Sequence, residues 1–342
     1  MRMIRPIPIV LSGVLGFLLM PRPAWSYPIS PVPLWELTEE AELIVLGEVT
    51  EVNESTDAGE RSLRNAPSST RIGGPGSMAR IAVREVWKGE AGAQVEVSFD
   101  PNYICPAPPR YVPGKTVAAF LTRDGDRWYT VGLSYGTLYP AAADVGDFRA
   151  RIQEAVRLQR AGVEDPRERV AWHVRAAARP ATRWHGLYGL RPSSDSLHYF
   201  YDGKVGVRAA EVELTAADFD TIARGFIERP SLDRTLPMIL ALFEGRPHHA
   251  LDRAAIAAVE GVLLRDEMPW WIGETLERLL RRLGDPDPKA RLGPIGDLDD
   301  EKSTRVVREI WAGAKRDLLL PEIPAAPSNP VEIWGTGENT PS

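Results

Sequence analysis

One stretch of the chain, Leu34 to Val52, constrains the fold more than any other. It reads LWELTEEAELIVLGEVTEV, a short acidic helical turn that runs directly into an apolar strand. One face of this strand carries Leu43, Val45, Gly47 and Val49. The other face is also apolar in its first half, at Ile44 and Leu46. A strand that is apolar on both faces needs cover on both sides, so the sequence predicts a strand packed between a core and neighbouring elements.

The amino terminus has the features of a secretory signal peptide. Arg2 and Arg5 precede an apolar run from Ile7 to Met20, and a small-x-small cleavage site lies before Tyr27. We therefore expect residues 1–26 to be removed on export to the periplasm or the cell exterior. The alternative is an uncleaved membrane anchor, but the run is shorter than the ~20 apolar residues that a spanning helix needs. No second run is long enough, so no transmembrane segment is expected after cleavage.

The charge of the chain argues against nucleic acid as a partner. The formal net charge is −6 at pH 7, and the signal peptide contains arginines but no acidic residue, so the mature chain is more acidic still. Such a chain binds phosphate backbones poorly. Its composition, with 44% hydrophobic and 26% charged residues, is that of a globular protein with length for two domains. The single cysteine, Cys105, cannot form an internal disulfide, so core packing must hold the exported chain together.

Further strands follow the opening one. Residues 53–77 are polar, rich in Gly, Pro and Ser and without periodicity, which predicts a long mobile loop. Alternating apolar residues then predict strands at about residues 81–88, 95–99, 116–122 and 128–131. In the first hairpin, Arg84 and Lys88 are expected to pair with Glu96 across the strands. Gly47 is expected to relieve crowding in a tightly coiled strand. The prediction for residues 27–142 is a five-stranded OB-like β-barrel.

Four segments of this half carry a family resemblance: AELIVLGEVTEV, ARIAVREVWKGEAG, VEVSF and ICPAPPRYVPGKTVAAFL. Over Leu34 to Tyr139 the chain resembles bacterial secreted relatives of the netrin-type module, the OB-fold also used by tissue inhibitors of metalloproteinases. The resemblance implies an OB-fold and suggests protease inhibition. Those inhibitors insert an amino-terminal cysteine into the zinc site of a protease. The mature chain would instead begin at Tyr27 and Pro28, so this inhibitory mechanism does not carry over.

Cys105 is a free thiol with two interpretations. It is either a reactive or intermolecular thiol, or an unreactive, half-buried remnant of a disulfide. The loop around it contains Pro106, Pro108 and Pro109, and no His or Lys adjoins it to activate the sulfur. These neighbours favour the unreactive thiol.

Residues 143–320 predict an all-α domain. The expected helix caps include Thr215, with Asp218 three residues later, and Ser231. Paired helix starts near 165/181, 215/231 and 250/269 are similar to HEAT-like helical hairpins, which bury a common core by stacking. The connection from the barrel, residues 135–147, is short and apolar. We expect its Tyr135, Leu138 and Tyr139 to pack between the halves and join them rigidly. The proline-rich residues 321–342 predict a disordered tail.

The sequence contains two clusters of possible metal ligands. His248 and His249, with Asp252, lie near a helix start, but adjacent histidines point to different helix faces, so a helix cap is favoured over zinc. The second cluster consists of Asp285, Asp287, Asp297, Asp299, Asp300 and Glu301. It lacks the spaced D-x-D-x-D-G pattern of a calcium loop, so turn chemistry and an acidic helix start are favoured. No metal and no cofactor are predicted.

One segment, AWHVRAAARPATRWHGL, suggests a ligand site. Its pocket candidates are His173, Arg175, Arg183 and His185, and together with Arg179 they suggest a site for an anion. Aromatic packing between helices is the competing interpretation. No G-x-S-x-G, H-E-x-x-H or phosphate-binding glycine loop is present, so no catalytic residue is predicted.

These patterns predict an exported, non-enzymatic binding protein whose partner is another extracytoplasmic protein, because barrels and helical arrays present loops or a concave face to partners. Two alternatives stay open. One is a hydrolase with a site between barrel and helices, where pockets commonly form. The other is a protease inhibitor that acts through the barrel.

Overall fold

The computed structural model describes residues 31–53, 77–101, 107–162, 165–190, 212–293 and 300–318. The predicted signal peptide, most of the predicted loop, Cys105 and the tail lie outside them. The strands are β1 (Leu43–Asn53), β2 (Ser77–Lys88), β3 (Gln94–Phe99), β4 (Thr116–Asp124), β5 (Arg127–Thr130) and β6 (Thr137–Leu138). The helices are α1 (Leu34–Glu40), α2 (Val145–Arg160), α3 (Pro166–Ala177), α4 (Arg183–Leu190), α5 (Ala216–Glu228), α6 (Thr235–Leu242), α7 (His249–Leu263), α8 (Ile272–Arg282), α9 (Pro288–Leu292) and α10 (Asp300–Asp317).

Five strands close into a mixed barrel in the amino-terminal half. The order around the barrel is β1-β2-β3-β5-β4, and β4 pairs back onto β1. The pairings are antiparallel except that of β3 with β5, which is parallel, with Val97 beside Trp128. The short β6 extends the sheet beyond β4. The predicted five-stranded barrel is confirmed, and its strand order is compatible with an OB-fold.

β1 is covered on both faces, as its sequence predicts. Leu43, Val45 and Val49 are fully buried in the barrel interior, where they pack with apolar side chains from β2, β3 and β4. Ile44 and Leu46 point outwards into a second cluster, which the helices share. Because burying a side chain of this size contributes roughly 1.5–3 kcal/mol, both faces of β1 stabilise the fold.

Gly47 allows β1 and β2 to approach closely. A Cβ atom at this position would lie 2.4 Å from the carbonyl oxygen of Ala82 on β2. The register of the two strands shifts between Leu46 and Gly47. No side chain fits at this point, so the glycine relieves crowding where the strand coils, as predicted.

The ion pairs on the barrel surface differ from the prediction. The register places Arg80 opposite Glu96, and the Arg80 guanidinium lies 2.9 Å from the Glu96 carboxylate. Arg84 pairs instead with Glu48 of β1, at 2.5 Å, and the Nζ of Lys88 donates to a backbone carbonyl of α1. The expected pairing was wrong because the connection between β2 and β3 is longer than a tight turn. Exposed pairs of this kind contribute little to stability.

A hydrophobic cluster that we call the seam joins the barrel to the helices. It contains Leu34, Trp35 and Leu37 of α1, Ile44, Leu46, Ala118 and Phe120 of the barrel, Leu138, and Phe148, Ile152, Ala155 and Trp172 of α2 and α3. Tyr135 packs against it, so the expected packing is confirmed for Leu138 and Tyr135. Tyr139 packs against the barrel interior instead, where its hydroxyl accepts a hydrogen bond from the N–H of Val112.

The helices beyond the seam alternate between two layers. In one layer α3 contacts α5 and α5 contacts α7, and in the other α4 contacts α6 and α6 contacts α8. α3 packs on α4, and α7 on α8, which closes one layer over the other. The layers enclose a continuous core that includes the fully buried Phe226, Leu236 and Leu276. Such stacking lets each helical pair bury an apolar face that it cannot bury alone.

One of the two predicted helix caps is present. The Thr215 hydroxyl accepts from the N–H of Asp218 at 3.3 Å, and the Asp218 carboxylate accepts from the N–H of Thr215 at 2.8 Å, which completes a capping box. The helix predicted at Ser231 begins instead at Thr235. The Ser231 hydroxyl is bonded to Thr235 and to the buried Arg183, so it is not free to cap a helix.

Candidate functional site

A pocket of about 330 Å³ opens on the layer that contains α3 and α5, beside α2. Its lining residues are Arg151 from α2, Arg175, Ala178 and Arg179 from the end of α3, and Thr221, Arg224, Gly225 and Glu228 from α5. Four of these residues are arginines, in a chain whose formal net charge is −6. The pocket is therefore a local concentration of positive charge on an acidic protein.

Helical spacing brings the charged side chains together. Arg175 lies in the last turn of α3 and Arg179 lies two residues beyond its end, so both reach the same end of the layer. On α5, Thr221, Arg224 and Glu228 are separated by three and four residues, the spacing that places side chains on one helix face. The pocket therefore forms where this face of α5 meets the end of α3.

The floor of the pocket is a close contact between α5 and the residue after α3. A Cβ atom at Gly225 would lie 2.0 Å from the carbonyl oxygen of Ala178, so any residue other than glycine would force the two segments apart. This contact sets the depth of the pocket and the separation of the arginines on either side of it.

The buried Arg183 stabilises this contact from the core side of α3 and α5. Its buried guanidinium donates to the carbonyl oxygens of Ala177 (3.3 Å), Gly225 (2.9 Å) and Arg229 (2.9 Å) and to the Ser231 hydroxyl (2.6 Å). Burial lowers the pKa of the Arg183 guanidinium to about 10. Arg183 lies in the core and cross-links α3, α4 and α5 without lining the pocket. Of the candidates from sequence, only Arg175 and Arg179 line it.

The two inner arginines share one carboxylate. Glu154 of α2 lies 2.5 Å from Arg151 and 2.6 Å from Arg175, and its side chain is mostly buried. Burial lowers the pKa of Arg151, the carboxylates of Glu154 and Asp147 oppose this shift, and the neighbouring positive charges of Arg175 and Arg179 add to it. Glu154 thus holds both inner arginines in place.

The two outer arginines have no such partner. Arg179 and Arg224 are exposed, and neither lies within ion-pair distance of an acidic side chain among the residues that the structure describes. Glu228 is the one acidic residue among those that line the pocket. The outer part of the pocket thus offers two guanidinium groups, the donors best suited to planar or tetrahedral oxyanions.

The lining has little capacity for acid–base or nucleophilic chemistry. It contains no His, Cys, Ser or Lys. The Thr221 hydroxyl donates to the carbonyl oxygen of Ala217 at 2.8 Å, so its proton is already engaged. A nucleophile needs a base within hydrogen-bond reach, and the lining offers no such pair. The arrangement is suited to binding an anion.

The two candidate histidines lie in the seam. His185 is buried, and its Nδ1 accepts from the N–H of Leu34 at 3.1 Å. His173 is fully buried between Trp35 and Trp172, and neither ring nitrogen has a hydrogen-bond partner. Burial, with a smaller contribution from nearby positive charges, lowers the pKa of each imidazole to about 3. Both rings are neutral and structural at neutral pH.

The metal-ligand candidates His248 and Asp285 have structural roles. His248 caps α7, because its Nδ1 accepts from the N–H of Leu251 at 3.1 Å. The Asp285 carboxylate accepts from the N–H of Asp287 and pairs with Arg291 at 2.5 Å. Over the residues with described positions, no group of three or more His, Cys, Asp or Glu side chains is placed to hold a metal ion. Cys105 lies outside the described residues.

Comparison of the chain with protein families, with curated proteins and with solved structures found no significant match. The netrin-type and HEAT-like resemblances therefore stay predictions. None of the described helices is both long enough and apolar enough to cross a membrane.

Sequence reasoning missed half of the arginines in the pocket. Arg151 and Arg224 lie 24 or more residues from Arg175 and Arg179, on helices whose packing partners no local pattern specifies. One feature of the sequence did indicate an exposed arginine, namely a charged residue beside apolar ones on a helix. Arg224 follows Ile222 and Ala223 on α5, at a position that periodicity assigns to solvent. Periodicity identifies the exposed face but not the helix beside it.

Proposed function

We propose that the protein is an exported, non-enzymatic binding protein and that the arginine-lined pocket is its ligand site. The observation that carries this proposal is the convergence of four arginines from three helical segments in a lining without a nucleophile and base. Charge gathered in a concave site that offers no nucleophile with a neighbouring base favours recognition of a charged ligand. The signal peptide predicted at residues 1–26 supports export.

The scaffold suits this role. We propose that the barrel is an OB-fold of the netrin-like type, which its strand order allows. The two layers of helices are proposed to be a short HEAT-like array, an architecture that presents one layer to ligands. The seam packs α2 and α3 against the barrel, so two of the three segments that build the pocket are anchored to it.

The test is a ligand screen with two readouts. Thermal unfolding of the mature chain, residues 27–342, is followed in the presence of neutral, cationic and anionic small molecules, because a ligand that binds only the folded state raises the Tm. We expect at least one chemical class to raise the Tm and the bound compound to be recovered unchanged. Absence of a stabilising ligand in every class would refute binding at this site. Consumption of the compound would show that the protein is an enzyme.

A further inference from the structure

We propose that the pocket takes a small oxyanion, a phosphate, sulfate or carboxylate group, held between the guanidinium groups of Arg179 and Arg224. This inference rests on the proposed function and names the ligand class of the same site. It assigns different tasks to the two pairs of arginines. The inner pair shapes the pocket, and the outer pair binds the ligand.

Charge pairing separates the two tasks. Glu154 contacts both inner arginines, Arg151 and Arg175, and fixes their side chains against α2 and α3. The outer Arg179 and Arg224 line the same pocket, and no acidic side chain with a described position pairs with them. An arriving anion therefore meets two free guanidinium groups in front of a wall that is already positive. Arginine suits this task because its planar fork donates two parallel hydrogen bonds to one oxyanion.

The stability of the helices does not explain the presence of all four arginines in the pocket. Arginines near a helix C-terminus complement the helix dipole, which explains why Arg175 and Arg179 are tolerated at the end of α3. Arg151 and Arg224 lie in the interior of α2 and α5. There they gain nothing from the dipole and repel the arginines of α3. Glu154 and solvent reduce that repulsion, and a ligand with negative charge at Arg179 and Arg224 would reduce it further.

The size and the surroundings of the pocket favour a small ligand. A volume of about 330 Å³ holds a small molecule with one or two charged groups. Glu228 contributes a negative charge to the lining, and the protein as a whole is acidic, so a long polyanion would be repelled as it extended beyond the pocket. The ligand therefore carries an oxyanion group. This group is either an inorganic ion or the charged group of an organic acid.

The experiment measures binding of inorganic phosphate, inorganic sulfate and succinate to the mature chain by isothermal titration calorimetry, at constant ionic strength set with sodium chloride. We expect at least one of these anions to bind with one-to-one stoichiometry. In the double variant Arg179→Gln/Arg224→Gln the affinity is expected to fall by about tenfold or more, because two charged hydrogen-bond donors are lost. The order of the three affinities distinguishes an inorganic ion from a carboxylate ligand.

The matched control is the double variant Arg127→Gln/Arg253→Gln. Both arginines are exposed and lie outside the pocket, so the control removes the same charge. It should bind the anions as the parent does. An equal loss in the control would show that binding follows net charge and would overturn the assigned site. If only neutral or cationic compounds raise the Tm in the earlier screen and none of the three anions binds, the oxyanion proposal fails while the binding function stands.

Discussion

The two faces of α3 put charged and titratable side chains to opposite uses. On the seam side, Arg169 pairs with Glu36 of α1, stacks over Trp35 and lies beside the unpaired His173. On the pocket side, Arg175 reaches a cavity that is open to solvent. The seam buries most of its polar groups and leaves some without hydrogen bonds, whereas the pocket leaves Arg179 and Arg224 exposed to solvent.

The difference is one of desolvation. In the seam, burial raises the pKa of Glu36 to about 7, although Arg169 opposes the shift. A polar group there lowers stability unless its partner compensates for lost hydration. In the pocket, solvent and the Glu154 carboxylate stabilise the charged arginines, so several like charges can lie close together with only a modest loss of stability. The seam should therefore respond strongly to substitution and to pH, and the pocket mainly to ligands.

The largest effect is expected from Trp172→Ala in the seam. Trp172 is fully buried, lies edge-on to Trp35 and donates its Nε1–H to the carbonyl oxygen of Arg151 at 2.9 Å. Truncating a buried Trp typically costs about 3–5 kcal/mol. Urea unfolding followed by circular dichroism measures the loss. A loss below about 1 kcal/mol would show that the seam does not hold the two halves together.

The next effect belongs to the pocket floor. In Gly225→Ala the new methyl group would clash with the carbonyl of Ala178, so α5 must move away from α3. We expect a loss of about 1–3 kcal/mol, the usual range for overpacking, together with weaker anion binding. Gly273→Ala on α8 is the control, because a Cβ atom there meets nothing within 4 Å. Because alanine favours a helix more than glycine does, Gly273→Ala should leave stability unchanged or raise it. If Gly225→Ala is no less stable than the parent, the close contact with Ala178 does not limit this position.

Much of the seam was readable from sequence, while the pocket was not. The apolar faces of β1 follow from local alternation, so cover on both sides could be predicted from Ile44 and Leu46 alone. The helix start at Thr215 follows from local capping chemistry. The meeting of Arg151 with Arg224 depends on which helices become neighbours, and no local pattern encodes that choice. The helix cap predicted at Ser231 was wrong for a related reason. The hydroxyl of Ser231 is bonded to Arg183, which lies 48 residues away in the sequence.

Acid should destabilise the protein through its two buried histidines. His173 and His185 have pKa values lowered to about 3, below the ordinary value of 6.5, so the unfolded chain binds more protons than the folded one between these limits. Stability should fall as the pH drops from about 6.5 towards 3. The raised pKa of Glu36, about 7, acts in the opposite direction between about 7 and 4.5, since protonation there favours the folded state. Two imidazoles outweigh one carboxyl, so the net effect of acid is destabilising.

His173→Phe isolates one of these contributions. The ring nitrogens of His173 have no partners, so phenylalanine fills a similar space without burying unsatisfied polar atoms. We expect the variant to be more stable than the parent by about 1–2 kcal/mol at pH 7.5. The advantage should grow by roughly 1 kcal/mol per pH unit below about 6.5. Urea unfolding at pH 7.5 and pH 5.5 tests this. An advantage that is the same at both pH values would show that His173 is not kept neutral by the fold.

The smallest effect on stability is expected from the double variant Arg179→Gln/Arg224→Gln in buffer without oxyanions. Both side chains are exposed and unpaired within the described structure, and each repels the other arginines of the pocket. Removing them should change stability by no more than about 0.5 kcal/mol, in the stabilising direction at low salt. The change should fade between about 0.02 M and 0.5 M sodium chloride as screening shortens the range of the repulsion. Urea unfolding at both salt concentrations measures it. A loss above about 1 kcal/mol, insensitive to salt, would mean that these arginines hold α3 and α5 together, and the contrast between a structural seam and a ligand-directed pocket would not stand.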